Sequence, residues 1–257
     1  MKIFDDLENL RREAYVKAIM RNDVIGCIGA NIPVEIFYSR GLYAIPVYGI
    51  DSEILQFSRE KNLCDLINAT ITYAKTDKCP LIHSSKLIVI ENFCEIFTRE
   101  LSRLEKNIFI YEPGQESNLI TKINNVYGVR KLTDAKKLMR KIKDLLNKIK
   151  FYSDLSGLHV YIIEYYINFL ELDEQIKVLQ EISESITFHD EQINFIPVHV
   201  QSGAGIYRQI GKIFSGTNYR IFEDLCEGKC KYNYVFKNCP FYQGEEISYI
   251  EGGFING

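Results

Sequence analysis

Apolar positions along the chain alternate between short, nearly continuous runs and longer stretches with helical spacing, the arrangement expected of strands joined by crossover helices. Residues 23–30 (DVIGCIGA) predict a strand ending in small residues, 33–40 a short helix, and 42–49 a second strand or extended segment. Residues 63–76 have helical spacing, and 86–92 form an apolar run suited to a strand buried on both faces of a parallel sheet. An amphipathic segment at 95–106 precedes a further strand at 107–113. From 133 to about 185 the spacing is persistently helical, after which 194–205 returns to a strand and a glycine loop, 206–214 to a helix and 219–224 to a strand. The prediction is an α/β protein: two Rossmann-like parallel-sheet units joined by a helical connector, the second unit truncated. The boundaries fall at 1–130, 131–190 and 191–257.

A chain of 257 residues with 46% hydrophobic residues and 6 prolines is long and apolar enough to fold without disulfide or metal staples. Its net charge of -3 supplies no general field for a phosphate backbone, so neither nucleic acid nor a membrane surface is an expected partner. The basic stretch DAKKLMRKIKDLLNKIK carries Leu138, Ile142, Leu145 and Ile149 at helical intervals and reads as the solvated face of a packed helix. There is no apolar run of membrane-spanning length, and the charged amphipathic start MKIFDDLENLRREAY has no signal-peptide core; the expected location is the cytoplasm.

In a reducing compartment, 7 cysteines read as buried apolar groups, reactive thiolates or metal ligands rather than a disulfide framework. Ligands of open parallel sheets gather at the carboxyl ends of strands. Cys94 follows the strand KLIVIENF and opens a helix, whose N-terminus favours thiolate and hence iron or zinc ligation; Cys64 sits at or near another helix start. Inert burial is the competing reading for each. Cys226, Cys230 and Cys239 form the densest cluster, with a spacing that matches neither a zinc ribbon nor a ferredoxin run; a zinc site completed by His199 or a distant cysteine is one reading. Cys27 and Cys79 are weaker candidates. Glu35 stands on the first turn of a short helix beside a strand end, as a general acid or base or simply as a partner of that helix terminus. The SGAG loop at 202–205 could cradle a phosphate or carbonyl, but neither GxGxxG nor a Walker loop is present, so no direct ATP site is expected. His83, His159, His189 and His199 lack metal-ligand spacing, and His159 on an apolar helix reads as structural.

The run IGCIGANIPVEIFYSRGLYAIPVYG resembles the opening signature of the 2-hydroxyacyl-CoA dehydratase and benzoyl-CoA reductase family. Pro33, Glu35, Gly41, Ile45, Pro46 and Val47 match, and Arg40 stands where the family usually has alanine. NLCDLINATI and KLIVIENFCEIFTREL are similar to the family's two cysteine segments, with Cys64 and Cys94 on the cysteine positions and Glu95 in place of the usual Asp. FIPVHVQSGAG and YRIFEDLCEGKCKY resemble its second-domain strand and following motif, through Glu223, Asp224, Cys226, Gly228 and Tyr232, with Cys230 replacing an arginine.

The resemblance implies two α/β domains holding an iron-sulfur cluster, a [4Fe-4S] or double-cubane cluster, in a protein of an anaerobe. Single low-potential electrons would come from a separate ATP-hydrolysing iron-sulfur activator and reduce an acyl-CoA thioester. Cys64 and Cys94 would be cluster ligands, Glu35 a proton-transfer group beside the substrate. Family subunits are longer and place a third ligand late in the second domain; here Cys226, Cys230 or Cys239 would substitute, or a homologous second subunit or second copy would donate one. Two other readings stand beside this: a cluster-free accessory or regulatory protein derived from the family, and a zinc-binding structural module on Cys226, Cys230 and Cys239. Ligation of one small cluster requires the Cys64 and Cys94 sulfurs to lie within roughly 6 to 7 Å of each other.

Overall fold

A computed structural model of the chain describes residues 2–29, 31–47, 54, 56–57, 65–76, 78–92, 94–104, 106–201, 219–223 and 250–251. Its centre is a parallel sheet of β1 (Val24–Ile28), β2 (Tyr43–Pro46), β3 (Leu87–Glu91) and β4 (Ile108–Tyr111), ordered β2-β1-β3-β4. Every residue of β1 is buried, as are the first four of β3, which is why VIGCI and LIVIE are nearly unbroken apolar runs: helices cover both faces, so neither face needs polar residues. The register pairs Gly26 with Ile45 on one side and with Ile88 on the other. A glycine is required at this position, because a Cβ there would meet Val47 Cγ2 at 2.9 Å and Ser85 Oγ at 3.0 Å.

Among the described residues the helices are α1 (Lys2–Ile19), α2 (Val34–Tyr38), α3 (Asp65–Lys75), α4 (Pro80–Ser84), α5 (Glu95–Ser102), α6 (Glu116–Tyr127), α7 (Ala135–Tyr152), α8 (Gly157–Tyr166) and α9 (Leu172–Ser185), with a 3-10 turn at Ile167–Phe169. Three strands follow or close the helical run, β5 (Ile196–Gln201), β6 (Tyr219–Glu223) and β7 (Ile250–Glu251), forming a second parallel sheet ordered β6-β5-β7. The fold is therefore α/β with Rossmann-like parallel-sheet units, as the alternating pattern predicts. The helices α4 and α6 have no counterpart in the sequence reading; α4 is a single turn begun by Pro80 after Cys79, and α6 follows the Gly114 turn directly.

The helical segment shares one apolar cluster with the first sheet, reaching from Leu7 and Ala14 of α1 through β1 and β3 to Ile163, Phe169 and Leu179. Polar ties fix it at the strand entry end. Tyr43 donates its hydroxyl to the Phe169 carbonyl at 2.7 Å, and Tyr127 of α6 donates to the Val24 carbonyl at 2.6 Å. Arg21 forks Asp23 with Nε and Nη2 at 2.7 and 2.8 Å, reaches Glu171 with Nη1, and lies 4.6 Å above the Tyr43 ring centroid. Asp23 is held below its ordinary carboxylate range first by that guanidinium hydrogen bond. Glu171 also caps α9 in a reciprocal box with Glu174.

Candidate functional site

Strand order reverses between β1 and β3: the chain moves outward to β2, then crosses back to β3 and β4. A crevice opens at such a switch point beyond the carboxyl ends of the two strands, where the connecting loops part in opposite directions. The residues at that edge are Gly29 and Asn31 after β1, Glu35 on α2, Glu91 ending β3, Asn92 and Cys94 leading into α5, and Tyr111 ending β4.

Glu91 organises the edge. Its carboxylate accepts the Asn31 backbone N–H at 2.9 Å and the Asn31 side-chain amide at 2.8 Å, drawing the β1–α2 loop against the end of β3. Gly29 makes the approach feasible. At φ +146° it adopts a conformation that L side chains rarely take, and a Cβ there would lie 2.3 Å from Glu91 Cβ and 2.6 Å from Glu91 Oε2. The loop so positioned carries Pro33 and Glu35, the latter half-buried in the first turn of α2.

On the other side, Asn92 donates its backbone N–H to the Tyr111 carbonyl at 2.9 Å and its side-chain amide to Glu112 at 2.8 Å, and accepts the Thr98 hydroxyl at 3.3 Å. Tyr111 is 3% exposed and donates to Glu116 Oε1 at 2.8 Å. Its hydroxyl is pushed up to about 12, by burial first and the Glu116 hydrogen bond second, with the charges of Glu35 and Glu91 adding to the shift. The edge is thus acidic, with a protonated phenol between carboxylates. Glu116 itself is drawn below its ordinary range by its own backbone N–H, by Tyr111 and by the Gly114 N–H.

Cys94 occupies the N-cap position of α5, with extended backbone and its carbonyl accepting the Thr98 N–H at 2.9 Å. It is half-buried, whereas Cys27 and Cys79 are buried, and burial pushes the Cys27 thiol far up. Of these three thiols, Cys94 has the environment of a ligand or nucleophile: some solvent access and a helix N-terminus that stabilises thiolate. Cys27, in mid-strand, and Cys79, before α4, fit the bland reading of small apolar groups.

Glu35 and Cys94 therefore stand at one sheet edge. Cys64, Cys226, Cys230, Cys239 and the SGAG loop lie outside the described residues, as does the side chain of His199, whose backbone is in β5. The sulfur separation of Cys64 and Cys94 is accordingly not defined. Among the described residues, no three His, Cys, Asp or Glu side chains are grouped to hold a metal ion. His159 serves the N-terminus of α8, with Ser156 Oγ 3.1 Å from its Nδ1 and accepting its backbone N–H at 3.3 Å; His189 is exposed. Glu91, Asn31 and Tyr111 escaped the sequence reading. The available signal was an acidic residue closing the otherwise apolar strand LIVIE, at the strand end where ligands gather.

The chain is similar to a protein named as a dehydratase subunit. This is the Escherichia coli (strain K12) protein "Putative dehydratase subunit YjiM", 26% identical over 100 residues. The match takes in 36% of this chain and only 26% of the relative's own length. No family model matches the chain. The similarity agrees with the sequence signature at the level of a distant dehydratase-family resemblance. Among the described residues no helix is long and apolar enough to cross a membrane.

Proposed function

We propose that this chain is an iron-sulfur subunit of the dehydratase or reductase type, acting on an acyl-CoA or similarly hard-to-reduce substrate with single electrons from an ATP-hydrolysing activator protein. The observation that carries the reading is the place of Cys94: a half-buried thiol heading α5 at the β1/β3 switch point, on the same edge as Glu35. The similarity over 36% of this chain to a protein named as a dehydratase subunit supports the dehydratase part of the reading.

Among the described residues Cys94 supplies one donor of the kind an iron-sulfur cluster takes, a half-buried thiol at a helix N-terminus, where thiolate is favoured. Cys94 and Cys64 would hold the cluster, with a further ligand from Cys226, Cys230 or Cys239 or from a second subunit. When bound, the cluster would supply a one-electron couple at low potential. The chain's own residues would handle position and protons. Glu35, on a loop fixed by the Asn31–Glu91 hydrogen bonds, would take or return a proton at the substrate, while the buried Tyr111 hydroxyl stays protonated and holds Glu116. The glycine at position 29 leaves room for the loop to close on Glu91 at the end of β3.

Iron and acid-labile sulfide analysis of anaerobically purified protein, with the visible spectrum, tests this directly. The expected result is iron and sulfide at cluster stoichiometry, lost in Cys64→Ala and in Cys94→Ala. Colourless protein after attempted reconstitution would reject the cluster, and stoichiometric zinc insensitive to oxygen would select the zinc module instead.

A further inference from the structure

We propose that the loop after β1 is a carboxylate-binding cradle, closed in this structure by Glu91 acting as an internal ligand. One residue of the loop supplies both donors. Asn31 gives its backbone N–H to Glu91 Oε2 at 2.9 Å and its side-chain amide to Oε1 at 2.8 Å, so the two oxygens of one planar group are gripped as a pair. Gly29 forms the floor: a Cβ there would stand 2.6 Å from Oε2, so the carboxylate rests against bare backbone. Solvent reaches the cradle, since Asn31 is exposed and Glu91 and Gly29 are half-buried.

Glu91 is held differently from the carboxylates that tie the fold together. Asp23 and Glu171 answer Arg21, Glu174 answers Lys17, and Glu164 answers Lys150. Among the described residues Glu91 has no ion-pair partner, and its charge is met by the amides of a loop 60 residues away. Amide donors turned on a full negative charge, with no cation beside them, are the means by which loops bind anionic ligands.

The donor set also selects the class of ligand. Two donors set for the two oxygens of one carboxylate leave the further oxygens of a phosphate unanswered. Glu35 and Glu112, at the same sheet edge, oppose a second negative charge, and α2, only five residues long, adds little to offset it. A carboxylate carried by the fold acts at a far higher effective concentration than a free one, so Glu91 keeps small carboxylates out. A ligand takes the cradle only by bringing a carboxylate together with further contacts in the crevice, turning Glu91 out to solvent. This inference uses neither Cys94 nor the cluster and stands or falls separately from the iron-sulfur reading.

Chemical complementation tests it. Glu91→Ala removes Cγ, Cδ and both oxygens, which correspond to the heavy atoms of acetate, and leaves the cradle open. At about pH 7, where acetate is ionised, sodium acetate up to about 0.3 M should raise the thermal midpoint of Glu91→Ala saturably, by about 2 °C or more beyond its effect on the parent. Sodium chloride and inorganic phosphate at equal ionic strength should give no such excess. Hydrogen exchange at the Asn31 amide should be faster in the variant than in the parent and be slowed again by acetate. The double variant Gly29→Ala, Glu91→Ala, whose new Cβ crowds the carboxylate's place, should lose the acetate response. Glu91→Ser, with its hydroxyl standing where Cγ was, should respond in the same way to formate and serves if Glu91→Ala does not fold. Absence of an excess over the parent with acetate in Glu91→Ala, or with formate in Glu91→Ser, would overturn the proposal. So would an equal excess from phosphate, or an acetate response that survives Gly29→Ala.

Discussion

Substituting Gly29 by alanine tests how the switch-point edge is built. Two costs can be read from the geometry. The backbone at φ +146° is strained for any L residue, which costs of order 1–3 kcal/mol. The new Cβ would also stand 2.3 Å from Glu91 Cβ and 2.6 Å from Glu91 Oε2, so the Glu91 side chain must leave its seat. That movement breaks the two bonds it accepts from Asn31, each contributing about 0.5–1.5 kcal/mol net at this partly solvated position. The sum is about 2–6 kcal/mol, a large share of the ~5–15 kcal/mol that holds a typical protein folded. Urea unfolding followed by far-UV circular dichroism should show a lower midpoint at unchanged m. Glu91→Ala alone should lose only the hydrogen-bond part. The Cβ–Cβ conflict survives in the double variant, but the two bonds to Asn31 can be lost only once, so the double variant should be less destabilised than the two singles summed, by about 1–3 kcal/mol. A Gly29→Ala protein within about 0.5 kcal/mol of the parent, or strict additivity with Glu91→Ala, would refute this account of the loop.

Other perturbations separate the remaining arguments. Arg21→Ala removes the fork to Asp23 and the cation over Tyr43; with Arg21 and Asp23 side chains 30% and 21% exposed, solvent screening limits the loss to about 1–2 kcal/mol, measurable by thermal or urea unfolding. Because Asp23 titrates below its ordinary 3.8 in the folded protein, its contribution is present above that pH and fades as pH falls below it, so the acid limb of a stability–pH curve should be shallower in Arg21→Ala. Burial draws His159 below its ordinary 6.5, so the folded protein favours the neutral imidazole more than the unfolded chain does; stability should decline as pH falls below 6.5, and His159→Gln should flatten that decline in unfolding measured across pH 5 to 7. Among Cys27, Cys79 and Cys94, native-state alkylation followed by peptide mass mapping should modify Cys94 first, since the other two are 8% and 1% exposed; equal rates would contradict their burial.

Strands that are buried on both faces announce themselves. VIGCI and LIVIE have no polar alternation to confuse with a loop, and their spacing around helical stretches sufficed to predict a parallel α/β sheet. What local pattern could not give was the strand order β2-β1-β3-β4, because register and neighbour choice depend on how the crossovers pack. The helix Glu116–Tyr127 was missed for a local reason: ESNLITKINNVY mixes Asn, Ser and Thr with its apolar positions, residues that equally suit a loop, and it forms by burying Leu119 and Ile123 against the sheet. At the site, Glu35 and Cys94 were legible because each follows a strand and begins a helix. Glu91 was not. Its role comes from a contact with Asn31 across 60 residues of chain, which no periodicity records. The basic segment at 133–150 was legible from its apolar residues, which predicted a packed helix, and Ile142 and Ile149 are buried in α7.

The two ends of the first sheet answer to different demands, and this allows stability and activity to be perturbed separately. At the entry end, Arg21, Asp23, Tyr43, Tyr127 and Glu171 join α1, β1, β2, α6 and the helical segment through charged and buried hydrogen bonds, and changes there should act on unfolding. At the carboxyl end the corresponding groups are mostly half-buried, joined by short polar loops, and acidic: Glu35, Glu91, Asn92, Cys94 and Glu112. A carboxylate edge would ordinarily be expected to repel an anionic substrate or cofactor, and here the counterweight within the described residues is limited to amide donors and the N-terminus of α5.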